Sequence, residues 1–194
     1  LRYTSIPLDR KFSHGKKLAM TVGIKSAKND RILFSDADCY PASDQWVSLM
    51  SSHFTTKTDL ILGIGLYERK KGILNALLRY ETLFTAMQYI SYAISGKAYM
   101  GVGRNLAYKK ELFFKNKGFA SHLKVLSGDD DLFVNETATK TNTAVSIDPD
   151  SFTLSVPPTR FKNWISQKRR HISTGKYYSG PSKRRLAGEY LSRI

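Results

Sequence analysis

The sequence predicts an α/β domain, a sheet flanked by helices, and three observations carry that prediction. The apolar run Ile32-Leu33-Phe34 reads as a buried, parallel-type strand that ends in two carboxylates, Asp36 and Asp38. A second strand-like run covers 59–67, and such runs alternate with helix-type segments at 14–29, 43–54 and 73–94. Finally, 194 residues with 41% hydrophobic and 12% aromatic content suffice for one sizeable core and exclude a disordered chain.

Taken in order, residues 1–13 read as a short extended piece and a polar loop, with Pro7 fixing the direction. From His14, apolar residues at 18, 22 and 24 with small ones at 19 and 23 predict a helix to about Asn29, feeding a strand over 31–36. Lys16 and Lys17 at its start read either as solvated charges or as phosphate contacts. On extended backbone, residues i and i+2 face one side, so Asp36 and Asp38 can lean toward one hard cation, with Tyr40-Pro41 turning the chain away. Ligands of open α/β sheets bind beyond the carboxyl ends of strands, which suits that location. Ser43 and Asp44 predict the N-cap and first-turn acid of a helix to about Phe54, with Trp46, Leu49 and Met50 on one face.

In the run 59–67, Gly63 and Gly65 would let another backbone or a ligand come close. Residues 73–94 form the longest apolar stretch; Arg79, Glu81 and Gln88 argue against a membrane span. An amphipathic helix packed on the core is the favoured reading, although Tyr80, Tyr89 and Tyr92 beside Arg69-Lys70-Lys71 would suit a membrane interface. The stretch 99–108 is strand-like; Gly101-x-Gly103 lacks the third glycine and the helix of a dinucleotide fingerprint. A short helix follows at 109–115, closed by Gly118-Phe119. Asp129, Asp130 and Asp131 then stand at a helix N-terminus. The helix dipole accounts for one or two of them, and three together should repel and raise at least one pKa, as a general base requires. Two short strands, 143–147 and 152–156, bracket Asp148-Pro149-Asp150. A helix over 161–174 carries Trp164, Gln167, Arg169, Arg170 and His171, and the order of the basic tail 181–194 stays open.

The charge balance narrows the partners. Lys and Arg number 31 against 16 Asp and Glu, a net +15, which points to nucleotide phosphates, an acidic lipid surface or nucleic acid. No helix-turn-helix, zinc or RNP pattern occurs, and two acid clusters would repel a phosphate backbone without a metal between. A nucleic-acid-binding module is therefore the alternative and not the preferred reading. Cys39 is the single cysteine, so no disulfide framework forms and a reducing compartment fits; we read it as a packing residue. No signal peptide is visible, and the abrupt start at Leu1 reads as truncation.

Asp36-Ala37-Asp38 after a strand, Gly128-Asp129-Asp130 about ninety residues later, and then Gln167-Lys168-Arg169-Arg170-His171 share order and spacing with a known set. They resemble the Asp-x-Asp, Glu-Asp and Gln-x-x-Arg-Trp motifs of the family-two inverting glycosyltransferases. Gly15-Lys16-Lys17-Leu18-Ala19 and Gly103-Arg104-Asn105-Leu106-Ala107 are similar to family stretches that flank the donor site. The resemblance covers 9–178 and implies a GT-A-like (Rossmann-like) mixed sheet flanked by helices, lacking the N-terminal nucleotide-binding strands. It further implies a partial catalytic domain over 1–178, with 179–194 a basic tail leading to a membrane segment at the cytoplasmic face of the cell membrane. The implied activity is hexosyl transfer with inversion, from a nucleotide sugar, UDP-linked, to a hydroxyl of a glycan or lipid-linked acceptor, as in polysaccharide biosynthesis. By the same resemblance Asp36 and Asp38 would hold Mg²⁺ or Mn²⁺, and Asp130 would be the base with Asp129 in the Glu position. Lys16, Asp36, Arg104, Asn105, Gln167 and Arg170 would meet donor or acceptor. Three departures matter: Asp129 replaces Glu, Asp131 leaves the register of the base open by one, and His171 stands in place of the stacking Trp.

Overall fold

The computed structural model describes residues 15–125 and 127–192, so the expectation for 1–13 lies outside the described residues. The chain runs α1 (Gly15–Ser26), β1 (Arg31–Phe34), β2 (Cys39–Pro41), α2 (Trp46–Ser52), β3 (Leu60–Leu62), β4 (Gly65–Tyr67), α3 (Ile73–Ile94), β5 (Leu106–Lys109) and α4 (Lys110–Lys115). It continues through α5 (Asp131–Thr137), β6 (Thr143–Val145), β7 (Thr153–Ser155), α6 (Phe161–Ile172) and α7 (Gly180–Leu191). Two mixed sheets result, one ordered β1-β5-β3-β6 and the other β2-β7-β4.

Four readings of single elements change. β1 is antiparallel to β5, with Ile32 opposite Tyr108, and is half-buried at the edge of its described sheet; parallel pairing occurs at β3–β6 and β4–β7 instead. Three apolar residues report burial on one face or two equally well, and here stacking of Phe34 on Tyr108 at 4.4 Å supplies the contact. The single run 59–67 is two strands in two sheets, because the chain crosses over at Gly63-Ile64. The stretch 99–105 is irregular, and only 106–109 is strand. The tail is ordered as α7, with Pro181 in its first turn, and Gln88 donates to Glu189 at 2.8 Å to tie it to α3.

Smaller shifts have local causes. α1 ends at Ser26, not Asn29. α2 begins only at Trp46, because the Ser43 hydroxyl caps the preceding turn, accepting from the Gln45 N–H at 3.0 Å while donating to the Asp150 carbonyl at 2.8 Å. Thr143–Val145 and Thr153–Ser155 are shorter than expected and belong to different sheets, so Asp148-Pro149-Asp150 is a crossing between them and not a hairpin.

Strand alternation divides the core. Leu60 and Leu62 face α3 and pack with Ala86, Tyr89, Ile90, Tyr108, Phe113 and Phe133. Ile61 and Ala107 face the other way, onto Met50 and Phe54, with Trp46 alongside, as the expected face of α2 requires. Gly63 sits at the crossover because a Cβ there would lie 2.4 Å from the Asn105 amide carbon. The expected close approach is made by a protein side chain.

Candidate functional site

Asp36 and Asp38 leave β1 in a tight turn, closed by the Cys39 N–H donating to the Asp36 carbonyl at 3.0 Å. The extended geometry and the turn at Tyr40-Pro41 are both corrected: 40–41 belong to β2, paired with β7. Convergence survives by another route. Ligand atoms of Asp36, Asp38 and Cys39 all lie within 4.8 Å of one another, and Asp38 is exposed. Cys39 is half-buried, not a core residue, and its Sγ lies 3.0 Å from Ser155 Oγ. Burial raises its thiol pKa, so it enters this group as a neutral sulfur. Two carboxylates with an open side fit a hard divalent cation such as Mg²⁺ or Mn²⁺; the sulfur favours the softer, later metals.

The second acid cluster meets the first through one ammonium. Lys16 Nζ lies 3.1 Å from Asp36 Oδ1 and 2.8 Å from Asp129 Oδ2, joining residues more than ninety positions apart in the chain. Burial alone would lower the Lys16 pKa, and the charges of Asp129 and Asp36 outweigh it and leave it raised. Lys16 is thus neither of the simple readings: it is a fixed cation between the two acid groups.

Each of the three consecutive aspartates has its own place. Asp129 is buried and faces Lys16. Asp130 caps α5: one oxygen accepts from Asp131 N–H at 2.8 Å and the other from Gly103 N–H at 2.7 Å. Burial, then the charges of Asp129 and Asp131, push its pKa up to about 7 against the pull of Gly103 N–H and Lys16. Asp131 is consumed by structure, accepting from Leu132 N–H at 2.8 Å, from Tyr178 OH at 2.9 Å and from the Thr174 hydroxyl. Among the three, only Asp130 combines a raised pKa with partial exposure of the residue.

Lys17 is the residue that sequence reading missed. It is 1% exposed, and its ammonium donates to the carbonyls of His122 (2.6 Å), Val125 (2.8 Å) and Ser127 (2.9 Å). The loop that delivers Asp129 is therefore wrapped around one buried cation. Nothing in the local sequence separates Lys17 from Lys16. A helix turn of about 100° places adjacent side chains on different faces, one toward the acids and one toward the loop.

The remaining predicted residues divide. Arg104 lies over the Tyr67 ring at 5.0 Å and donates to Ser155 Oγ at 3.4 Å; Tyr67 OH in turn donates to Gln167 Oε1 at 3.2 Å. A polar chain thus runs from α6 through Tyr67 and Arg104 to Ser155 and Cys39, at the rim of the first acid group. Asn105 differs from expectation. It is fully buried, donating to Ile64 O and Ser151 O and accepting from Trp46 Nε1, so its amide braces the sheet crossover instead of facing a ligand. Arg170 is exposed on α6 and is not among the described residues that Lys16 and Tyr67 tie together. His171, itself exposed on α6, has its pKa lowered by the protein around its ring and then by Arg170, Lys168 and Arg104, with Asp36 opposing.

No protein-family profile and no curated protein sequence matches the chain. Among solved structures, it is similar in fold to the mannosyltransferase PcManGT from Pyrobaculum calidifontis, solved in complex with GDP-Man and Mn²⁺. The TM-score is 0.55, at 15% identity, over 85% of this chain. The match takes in 44% of that structure, so this chain spans less than half its length. The two mixed sheets flanked by helices are compatible with a glycosyltransferase fold, and this chain's fold is similar to that of a glycosyltransferase.

Proposed function

We propose that this chain carries the catalytic acids of a glycosyltransferase that moves a sugar from a nucleotide-sugar donor to a hydroxyl acceptor, with inversion and with a divalent cation. The observation that carries this reading is Lys16, whose single ammonium brings Asp36 and Asp129 to one place beside the partly exposed Asp130. Asp36 and Asp38 would hold Mg²⁺ or Mn²⁺, which supplies positive charge to a departing diphosphate. Lys16, beside these acids, would meet a phosphate oxygen, and Arg104 and Gln167 border the same rim.

Asp130 supplies the base. The acceptor oxygen forms its bond to the anomeric carbon as the bond from that carbon to the diphosphate breaks, and the hydroxyl proton passes to the Asp130 carboxylate. The nucleoside diphosphate leaves with its electron pair, and a single displacement inverts the centre. The three hydrogen bonds that Asp131 accepts support Asp130 over Asp131 in this role. The acceptor we assign is a glycan or lipid-linked hydroxyl at the cytoplasmic face of a membrane, in keeping with the motif resemblance.

The test is radiolabelled transfer by this chain from a panel of UDP- and GDP-sugars with Mn²⁺. The UDP donor expected from the motifs and the GDP-mannose bound by the similar structure are both included. Asp38→Ala should abolish metal-dependent turnover. Asp130→Asn should keep donor binding and lose transfer by about 10³-fold, the usual contribution of a general base. Retention of more than a few percent of activity in both variants would refute the assignment.

A further inference from the structure

The fold buries one side of α3 and leaves the other unusual. Leu78, Thr82, Ala86, Tyr89, Ile90 and Ala93 face the core. On the opposite side, every exposed residue from Ile73 to Ile94 is uncharged except Arg79. Ile73 is 90% exposed, Tyr80 68%, Met87 58% and Ile94 65%. The stripe runs the length of 22 residues, about 33 Å at 1.5 Å per residue. The one acid of α3, Glu81, is turned aside to Trp164 Nε1 at 3.2 Å and to Lys168, which seats α6 alongside and adds the exposed Phe161 and Ile165. A soluble helix of this length ordinarily presents charge to water.

A basic cluster stands at one end of the stripe, with Lys70 paired to Glu68 at 3.0 Å. Arg69, Lys70, Lys71 and Arg79 line a shallow groove at the N-terminus of α3, where the apolar stripe begins. A contiguous apolar stripe without acids, headed by a basic groove and carrying an interfacial tyrosine, has the chemistry of a surface that lies on anionic lipid headgroups with its apolar side sunk among the acyl chains. Charge decides between occupants. A second copy carries the same +15, so self-pairing sets two strongly basic bodies together, whereas an anionic bilayer gains from that charge. No described helix is long and apolar enough to cross a membrane, so docking would be in the plane of the interface.

We propose that the outer face of α3, with the groove Arg69–Lys70–Lys71–Arg79, docks this chain on an anionic lipid surface. The proposal uses none of the acids of the candidate site, so it stands or falls apart from the transfer reaction. The test is flotation of the 194-residue chain with vesicles of phosphatidylcholine alone or mixed equally with phosphatidylglycerol. Three variants of exposed residues accompany it, with circular dichroism as the check on folding. The chain should float with the mixed vesicles and not with the neutral ones. Arg69→Gln/Lys70→Gln/Lys71→Gln should lower the partition coefficient about a hundredfold, since each basic residue at an anionic surface contributes about fivefold. Tyr80→Glu/Met87→Glu should lose binding at unchanged net charge in the groove. Lys25→Gln/Lys28→Gln/Lys57→Gln, which removes the same charge elsewhere, should bind within about twofold of the wild type. Failure of the wild type to float, equal loss in the two lysine-bearing variants, or unaltered binding by Tyr80→Glu/Met87→Glu would each overturn the proposal. So would conversion of a dimer to a monomer by Tyr80→Glu/Met87→Glu in sedimentation, which would give the stripe to a second copy.

Discussion

Two neighbouring lysines divide the work of holding the acids. Lys16 neutralises Asp36 and Asp129 from a half-exposed position, where a divalent cation would compete with it. Removing it should therefore have opposite effects on two ligands. In Lys16→Met, Mn²⁺ alone should bind about tenfold more tightly, because a unit charge a few ångströms away in a partly solvated site is worth about 1–4 kcal/mol. A nucleoside diphosphate should bind more weakly to the same variant; calorimetry of each ligand checks both signs. Asp130 gives a second residue-scale prediction. Its folded pKa is raised to about 7, and as the proposed base it would act only when deprotonated, so kcat/KM should rise with pH through that value, and the rise should vanish in Asp130→Asn. The linkage to stability has the opposite slope. The unfolded carboxyl loses its proton near pH 4 while the folded one keeps it, so this group's stabilisation is complete below pH 4 and is lost as pH rises through about 7.

At the scale of elements, the site depends on two pieces of backbone that side chains fasten. The loop before α5 is held by Lys17, and Lys17→Met leaves three carbonyls without their donor in a buried place. It should cost about 3 kcal/mol in urea unfolding and weaken donor binding through displacement of Asp129, whereas Lys25→Met on the exposed end of α1 should change neither. The β3–β4 crossover is the other piece. Gly63→Ala would drive a methyl into the Asn105 amide, which three hydrogen bonds prevent from yielding, for a loss of about 1–3 kcal/mol by thermal unfolding. Helices were the more legible elements: the apolar period marked α2, α3 and α6 to within a few residues. Strands were less so. A run of three apolar residues carries no information on partner or direction, and the division of 59–67 between two sheets is set by Asn105, forty residues away. Likewise the role of Lys17 follows from carbonyls more than one hundred positions along the chain, which no local pattern records.

For the molecule as a whole, the aspartates were readable because acid crowding is costly without a cation nearby, and the structure supplies that cation as Lys16. The placement of Asn105 in the interior and the ordered helix α7 were not readable, since each is decided by long-range partners: Trp46 and Ser151 for the first, Gln88 on α3 for the second. Five of the 16 acids meet at one site, while an acid-free stripe lies along α3. On the two proposals above, the site for a metal-bound diphosphate and the surface for anionic lipid are separate parts of one chain. The most direct test of the first half is calorimetric titration of UDP and GDP in the presence and absence of Mn²⁺, on the wild type and on Asp38→Ala. The account predicts that at least one nucleotide binds tightly only with Mn²⁺, and that Asp38→Ala removes this dependence. Nucleotide binding equal with and without Mn²⁺, or undiminished in Asp38→Ala, would contradict it.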